Sequence, residues 1–256
     1  MSQRLVLVHG FTQTGRSWDP FLPSLGDRFD VVTPDLPGHG RRHDVHVGIE
    51  EAARLLGEEG GRGVYVGYSL GGRVALRLAV DRPDLVERLV LVSASAGIED
   101  DDDRAARREA DEALAAVIET EGVDAFLDEW LAQPLFASLP PERAGLEARR
   151  ENTAAGLAGA LRSLGQGSME PLWRRLFDVH LPVLVVAGEL DEAYCLQAVH
   201  LGGWLGEVAN LALIPMAGHA CHLEQPERFV GLLLAFLVDG DHGDHGDHDG
   251  HEGHEH

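Results

Sequence analysis

The sequence predicts an α/β protein in which a mostly parallel β-sheet carries helices on both faces and a helical insertion. Short apolar runs, typical of buried parallel strands, alternate with helical patterns in residues 1–97 and again in residues 177–238. Between these stretches, residues 98–176 show helical periodicity alone. A chain of 256 residues with 44% hydrophobic content can bury one substantial core, so we expect one sheet assembled from both stretches.

The strands and helices are predicted from apolar runs bounded by Gly, Pro and polar turn residues. The predicted strands cover residues 5–8, 29–32, 63–67, 88–92, 182–187 and 211–215. The main predicted helices outside the insertion cover residues 49–56, 74–78 and 229–238. Because strands and helices alternate, we expect ligands to bind at the carboxyl ends of the strands.

Composition excludes several classes of function. A formal net charge of −22 argues against nucleic acid as a partner, because surfaces that bind phosphates are basic. All 21 basic residues are arginine, which excludes Schiff-base chemistry on lysine. Cys195 and Cys221 are too few for a disulfide framework, and neither a signal peptide nor a membrane-spanning run is expected. A cytoplasmic location is therefore predicted.

Ser69 is the predicted nucleophile. The motif Gly67-Tyr68-Ser69-Leu70-Gly71 lies between a predicted strand and a predicted helix. In that context the pattern indicates a nucleophile elbow, a turn too tight for Cβ atoms at its glycines. The elbow would hold the Ser69 hydroxyl above the sheet, beside the amino terminus of the following helix.

Asp191 and His219 are the predicted partners of Ser69. Each follows the end of a predicted strand, and the chain order Ser, Asp, His is the one that this strand–turn–helix context uses. His219 would accept the Ser69 proton, and Asp191 would fix the imidazole tautomer. Glu189 is a rival acid, and His222, a rival base, is interpreted as a helix-cap residue.

Two loops resemble those of α/β-hydrolases. The segment His9-Gly10-Phe11 follows the first strand and resembles the oxyanion loop, so the backbone amides of Phe11 and Leu70 are the expected oxyanion donors. The segment Asp35-Leu36-Pro37-Gly38-His39-Gly40 resembles a second common hydrolase turn. For His9, Asp35 and His39 a structural hydrogen-bonding role is favoured over a catalytic one.

The insertion and the tail are predicted to differ in character. Residues 98–176 are expected to form a helical cap over the catalytic edge, between core segments 1–97 and 177–238. Residues 239–256 contain six histidines and seven carboxylates without an apolar residue, so disorder is expected. The tail histidines are candidates for weak divalent metal binding, with a purely solvated tail as the alternative: His242, His245, His248, His251, His254 and His256.

More specific than the general hydrolase motifs are Arg73, directly after the elbow, and several runs within the insertion. These runs are Arg104-Ala105-Ala106-Arg107-Arg108, Trp130-Leu131-Ala132-Gln133-Pro134-Leu135-Phe136-Ala137-Ser138-Leu139, Arg149-Arg150-Glu151-Asn152, Gly165-Gln166-Gly167 and Pro171-Leu172-Trp173. With these features the sequence from residue 5 to about residue 238 resembles the 2-succinyl-6-hydroxy-2,4-cyclohexadiene-1-carboxylate synthases of menaquinone biosynthesis. Two features depart from this family: Ala193-Tyr194, where a Lys-Phe pair is frequent, and the histidine-rich tail.

The resemblance implies a lyase that eliminates pyruvate from a substrate with three carboxylates, without a cofactor or an active-site metal. Arg73, Arg107 and Arg150 would bind the carboxylates, with Arg108 and Arg149 as rivals one residue away. The expected aromatic lining is Tyr68, Trp130 and Phe136, although Trp130, Phe136 and Trp173 could equally form the core of the cap.

Two alternatives remain open at the level of sequence. One is a carboxylesterase, lactonase or carbon–carbon hydrolase that uses the same three residues nucleophilically. The other is a non-catalytic protein that binds a small molecule, or a metal through its tail. A dehalogenase is disfavoured because its elbow carries aspartate where this chain has Ser69.

Overall fold

The computed structural model describes residues 2–238 and contains one six-stranded sheet. The strands are β1 (Gln3–Val8), β2 (Phe29–Val32), β3 (Gly63–Tyr68), β4 (Val86–Val92), β5 (Val183–Gly188) and β6 (Ala209–Ile214). Their spatial order is β2-β1-β3-β4-β5-β6, and every neighbouring pair is parallel. All six predicted strands are confirmed, with small differences at their ends.

The α-helices are α1 (Leu22–Leu25), α2 (Ile49–Gly60), α3 (Leu70–Asp81), α4 (Asp101–Glu121), α5 (Val123–Leu131), α6 (Leu146–Arg149), α7 (Ala154–Leu164), α8 (Glu192–Leu205), α9 (Cys221–Glu224) and α10 (Pro226–Val238). Short 3-10 helices cover Gly15–Phe21, Gly40–Arg42, Pro134–Phe136, Pro141–Arg143, Gln166–Ser168, Trp173–Asp178 and Gly206–Val208. In the described part of the chain, no helix combines the length and apolar character that a membrane span requires.

Helices cover both faces of the sheet because alternate side chains along its strands point to opposite faces, and both sets are apolar. Val6, Tyr65 and Leu89 point into a layer shared with α2, α3 and α8. On the opposite face, Leu5 and Val64 meet α1 and α10. β3 and β5 are buried along their whole length, as expected for central parallel strands read as continuous apolar runs.

The segment 98–176, which we call the cap segment, contains helices and no strand. Helix α4 begins after Asp100, whose side chain accepts hydrogen bonds from the amides of Asp102 and Asp103. α4, α5 and α7 share a small apolar cluster that includes Ile118 and Phe126. Phe11, from the loop after β1, packs against the same cluster and so joins the cap segment to the sheet.

Candidate active site

Ser69 lies in a strained turn between β3 and α3. Its φ of +50° falls in the left-handed region that residues with a Cβ rarely adopt. The Ser69 amide donates to the Val92 carbonyl at 2.9 Å, which ties the turn to the neighbouring strand. A Cβ at Gly67 would stand 2.5 Å from the Gly71 carbonyl oxygen, so only glycine fits beside the serine. The backbone has the form expected of a nucleophile elbow.

Ser69, His219 and Asp191 form one hydrogen-bonded series. His219 Nε2 lies 3.2 Å from Ser69 Oγ, and His219 Nδ1 lies 2.8 Å from Asp191 Oδ2. The other Asp191 oxygen accepts the Tyr194 amide at the start of α8, at 3.2 Å. The side chains of His219 and Asp191 are almost entirely buried. This arrangement can take a proton from the Ser69 hydroxyl and stabilise the imidazolium that forms.

Glu189, the rival acid, does not reach His219. Its side chain is exposed and accepts the Met216 amide at 3.3 Å. The structure therefore selects Asp191 over Glu189 as the carboxylate that contacts the imidazole.

Glu224 braces the backbone on both sides of His219. Its buried carboxylate accepts the Gly218 amide at 2.7 Å and the Ala220 amide at 3.1 Å. The loop that carries His219 is thus held by a side chain five residues further along, at the end of α9. Nothing in the sequence patterns pointed to this residue.

His222 is not a helix-cap residue, contrary to the interpretation from sequence. It is fully buried within α9, and neither of its ring nitrogens has a hydrogen-bond partner. Its ring centroid lies 4.9 Å from that of Trp18 and 4.4 Å from that of Tyr68, so it packs as an aromatic core residue. Burial lowers the pKa of His222 to about 3, which keeps the ring neutral.

The other polar loop residues have the structural roles favoured from sequence. His9 Nε2 accepts the Leu36 amide at 3.0 Å, and His39 Nε2 accepts the Thr12 amide at 3.3 Å. Asp35 accepts the amides of Gly15 and Arg41. Burial lowers the pKa of His9 to about 4 and that of His39 to about 3, so both imidazoles stay neutral acceptors.

A cavity of about 480 Å³ opens above Ser69 and His219, between the sheet and the cap segment. Its aromatic wall is continuous. The Phe11 and Trp130 ring centroids are 5.3 Å apart, those of Trp130 and Phe136 are 5.8 Å apart, and Phe136 lies 6.1 Å from His219. Tyr68 also lines the cavity. The expected aromatic residues therefore line the cavity above Ser69.

Phe11 and Leu70, the residues expected to supply the oxyanion amides, both line this cavity. In the described part of the chain, neither amide has a protein acceptor, and Leu70 is the first residue of α3. An amide at that position has no partner within its own helix and can donate to a ligand. The two amides remain the proposed oxyanion donors.

Two residues of the cap segment fasten the loop that carries Phe11. The guanidinium group of Arg149 donates to the Thr12 hydroxyl, and the Asn152 amide group donates to the Thr12 carbonyl at 2.7 Å. Asn152 also accepts the Gly40 amide at 2.8 Å. Thr12 itself has a φ of +67°, so these bonds hold a strained residue next to Phe11.

Three arginines line the cavity: Arg73, Arg107 and Arg149. Arg73 and Arg149 are buried, and burial lowers the pKa of each to about 10. Arg107 is partly exposed and pairs with the buried Asp111 at 2.8 Å. Asp111 is the one acidic residue among the described lining residues, so the cavity is locally positive in a chain of net charge −22.

The expectation for Arg150 was wrong. Arg150 is exposed and forms ion pairs with Asp124 and Glu147 outside the cavity, whereas Arg149, its rival, lines the cavity. In α4, Arg107 lines the cavity, whereas its rival Arg108 donates to the Gly167 carbonyl away from it, so Arg107 remains the predicted substrate-binding residue. In each pair, adjacent side chains point in different directions around the helix axis, so only one of the two faces the cavity.

Sequence reasoning missed several polar residues of the cavity, among them Gln166 and Tyr194. The Gln166 side chain accepts from Arg107 at 3.0 Å and donates to Ser95 at 2.9 Å. The Gly165-Gln166-Gly167 run and the Tyr194 departure from the family pattern were both visible in the sequence. Neither pattern indicated a side chain in the cavity wall.

In the described residues, no cluster of three or more His, Cys, Asp or Glu side chains could hold a metal ion. The tail and its six candidate metal ligands lie outside the described residues. Trp173 is buried outside the cavity, where its indole donates to the Gly97 carbonyl at 2.9 Å.

Comparison with known proteins places the chain among α/β enzymes. Residues 5–232 match the model of the alpha/beta hydrolase family. The 2-succinyl-6-hydroxy-2,4-cyclohexadiene-1-carboxylate synthase of Enterobacter sp. (strain 638) is 31% identical, over 91% of each chain. A Bacillus subtilis (strain 168) protein that carries this name provisionally is 33% identical, over 92% of this chain and 90% of its own. MenH from S. aureus superposes with a TM-score of 0.85 at 30% identity, over 94% of this chain and 96% of its own.

Proposed function

The chain belongs to the alpha/beta hydrolase family, and we propose that it acts as a 2-succinyl-6-hydroxy-2,4-cyclohexadiene-1-carboxylate synthase. In this reaction, 2-succinyl-5-enolpyruvyl-6-hydroxy-3-cyclohexene-1-carboxylate loses pyruvate. The observation that carries the proposal is the positive cavity above Ser69. The same cavity holds the three arginines and the serine–histidine pair.

The positive charge of the cavity suits an anionic substrate, with three arginines against one acidic residue, Asp111, among the lining residues. The substrate carries three carboxylates, and three guanidinium groups line a cavity of about 480 Å³. Planar guanidinium groups bind carboxylates bidentately, and partial burial strengthens each pair relative to water. Without these arginines, a chain of net charge −22 would repel a trianion.

The hydrogen-bonded series supplies the base. Ser69 gives its proton to His219, whose ring Asp191 holds through Nδ1, and the serine alkoxide removes the proton α to the succinyl ketone. The amides of Phe11 and Leu70 stabilise the enolate oxygen. The electron pair then moves through the ring and expels the enolate of pyruvate. The substrate proton restores the Ser69 hydroxyl, and the proton held by His219 neutralises the released enolate to give pyruvate. No acyl-enzyme forms, so Ser69 acts as a base rather than as a nucleophile.

The decisive experiment measures pyruvate release from the enolpyruvyl substrate by the purified protein. We expect release that Ser69→Ala lowers by at least about a thousandfold, because the proton acceptor is removed. Ester cleavage without pyruvate release would instead support the hydrolase alternative, in which Ser69 attacks a carbonyl carbon. A short-chain p-nitrophenyl ester serves as the comparison substrate.

A matched pair of variants tests the arginine assignment. Arg107→Ala removes a guanidinium group from the cavity, whereas Arg108→Ala removes its neighbour, which lies outside the cavity. We expect Arg107→Ala to lower kcat/KM for pyruvate release by about 10- to 100-fold and Arg108→Ala to leave it within about twofold. Equal losses in the two variants would contradict the assignment.

The cellular location of the enzyme follows from the solubility of its proposed substrate. A charged, small-molecule substrate of a biosynthetic route is dissolved in water, and we propose that the enzyme meets it in the cytoplasm. Fractionation of cells that express the chain, with the synthase activity as the marker, tests this location.

A further inference from the structure

The side chain of Tyr194 forms part of the cavity wall directly beside His219. Tyr194 is the third residue of α8, and its amide is fixed by Asp191 at 3.2 Å. Its ring meets the His219 ring edge to face, with the centroids 4.5 Å apart. The residue is therefore placed by the same carboxylate that holds the catalytic histidine.

The Tyr194 hydroxyl has a proton to donate and no protein acceptor for it. Gln166 Nε2 approaches the phenol oxygen at 3.5 Å as a donor, and this amide group also bonds Ser95 at 2.9 Å. In the described part of the chain, no acceptor takes the phenol proton itself. A hydroxyl that lines a ligand cavity and lacks an acceptor is available to a bound molecule.

The electrostatic surroundings favour an anionic acceptor. Burial raises the pKa of the Tyr194 phenol, although Arg73 and Arg107 act in the opposite direction, so the group stays protonated at neutral pH. The two guanidinium groups line the same cavity and attract a carboxylate. A carboxylate bound there still has lone pairs free for a neutral donor.

We propose that the Tyr194 hydroxyl donates a hydrogen bond to the substrate carboxylate that Arg73 and Arg107 bind. Tyr194 is then a substrate-binding residue, and the polar wall Arg73–Arg107–Tyr194 is a subsite for one carboxylate. The identity of the substrate rests on the proposed function, whereas the carboxylate subsite rests on the cavity alone.

Tyr194→Phe tests this hydrogen bond because it removes one oxygen and keeps the ring against His219. The carboxylate keeps its charge during the reaction, so the bond contributes equally to the ground state and the transition state. We expect KM for pyruvate release to rise about tenfold while kcat stays within about twofold. Tyr65→Phe is the matched control, because the Tyr65 hydroxyl donates to the Gly61 carbonyl far from the cavity.

A second measurement does not depend on the reaction. Succinate, a simple dicarboxylate probe, is titrated calorimetrically into the wild type, Tyr194→Phe and Tyr65→Phe. We expect about tenfold weaker binding to Tyr194→Phe alone. If the wild type releases no pyruvate but Tyr194→Phe still weakens succinate binding, the proposed function fails and the subsite stands. An unchanged KM together with an unchanged succinate affinity overturns the role of Tyr194, as does an equal loss in Tyr65→Phe.

Discussion

Arg149 and Arg150 show how much a single position decides at the scale of the residue. Arg149 lines the cavity and bonds the Ala144 carbonyl at 2.7 Å, whereas Arg150 pairs with exposed carboxylates. We predict that Arg149→Gln lowers kcat/KM for pyruvate release by about 100-fold, because a buried cation and its contacts are lost. The measurement is steady-state kinetics.

Arg150→Gln is the internal control for that prediction. Exposed ion pairs contribute at most about 1 kcal/mol, so activity and melting temperature should hardly change. A large loss of activity in Arg150→Gln would show that Arg150, and not Arg149, contacts the substrate. Circular dichroism of Arg149→Gln separates a binding defect from unfolding.

The functional side chains were predictable from the sequence where a motif fixes both the residue type and its place after a strand. Ser69, Asp191 and His219 each follow a strand, and the structure brings them into hydrogen-bond contact. The sequence could not distinguish Arg149 from Arg150, because Arg149 ends the four-residue helix α6 and Arg150 directly follows it, and helix ends are the least predictable part of an element. The interpretation of His222 was wrong because its burial depends on Trp18 and Tyr68, which are distant in sequence.

At the scale of the element, the four-residue helix α9 positions His219, which accepts the Ser69 proton. Glu224, at its end, bonds the amides that flank His219. We predict that Glu224→Gln lowers kcat about tenfold or more with little change in KM. The NH₂ group of the glutamine cannot accept a hydrogen bond from one of these two backbone amides, so the His219 imidazole would shift. Glu227→Gln, on the exposed first turn of α10, should behave like the wild type. Equal kcat values in the two variants would remove Glu224 from the positioning of His219.

The strands were easier to predict than the helices. Central parallel strands are apolar runs of four to eight residues, and the adjoining turns in this chain are rich in Gly and Pro. Helix α8 was missed because residues 193–205 carry no charge and its exposed face includes Leu196 and Val199. Without a polar face, the pattern has no helical period to detect.

At the scale of the whole molecule, buried neutral histidines should limit stability in acid. The folded pKa values are about 4 for His9 and about 3 for His39 and His222, against 6.5 for an unperturbed histidine. Between pH 6.5 and about 4 the unfolded chain binds more protons than the folded one, so stability falls as the pH falls. Each histidine should lower the free energy of unfolding by about 2 kcal/mol between pH 7.5 and pH 5.

Urea denaturation at pH 7.5 and pH 5 tests this prediction on His222→Leu. His222 has no hydrogen bond to lose, so the difference in the free energy of unfolding between the two pH values should shrink by about 2 kcal/mol. His43→Gln, at an exposed site, should keep the wild-type difference. An undiminished pH dependence in His222→Leu would mean that its ring is protonated or solvated in the folded state.

The bonds from the cap segment to Thr12 constrain how such lids can be exchanged between related enzymes. Asn152 contacts only main-chain atoms of the core, at Thr12 and Gly40, so a transplanted cap would find these partners in any recipient with the same loop path. Arg149 instead contacts the Thr12 side chain, which a recipient with another residue there would lack. A chimera built by moving residues 98–176 alone would therefore keep the Asn152 bonds but lose the hydrogen bond from Arg149 to the Thr12 side chain. Transplanting Thr12 together with the cap segment would restore the hydrogen bond between Arg149 and Thr12.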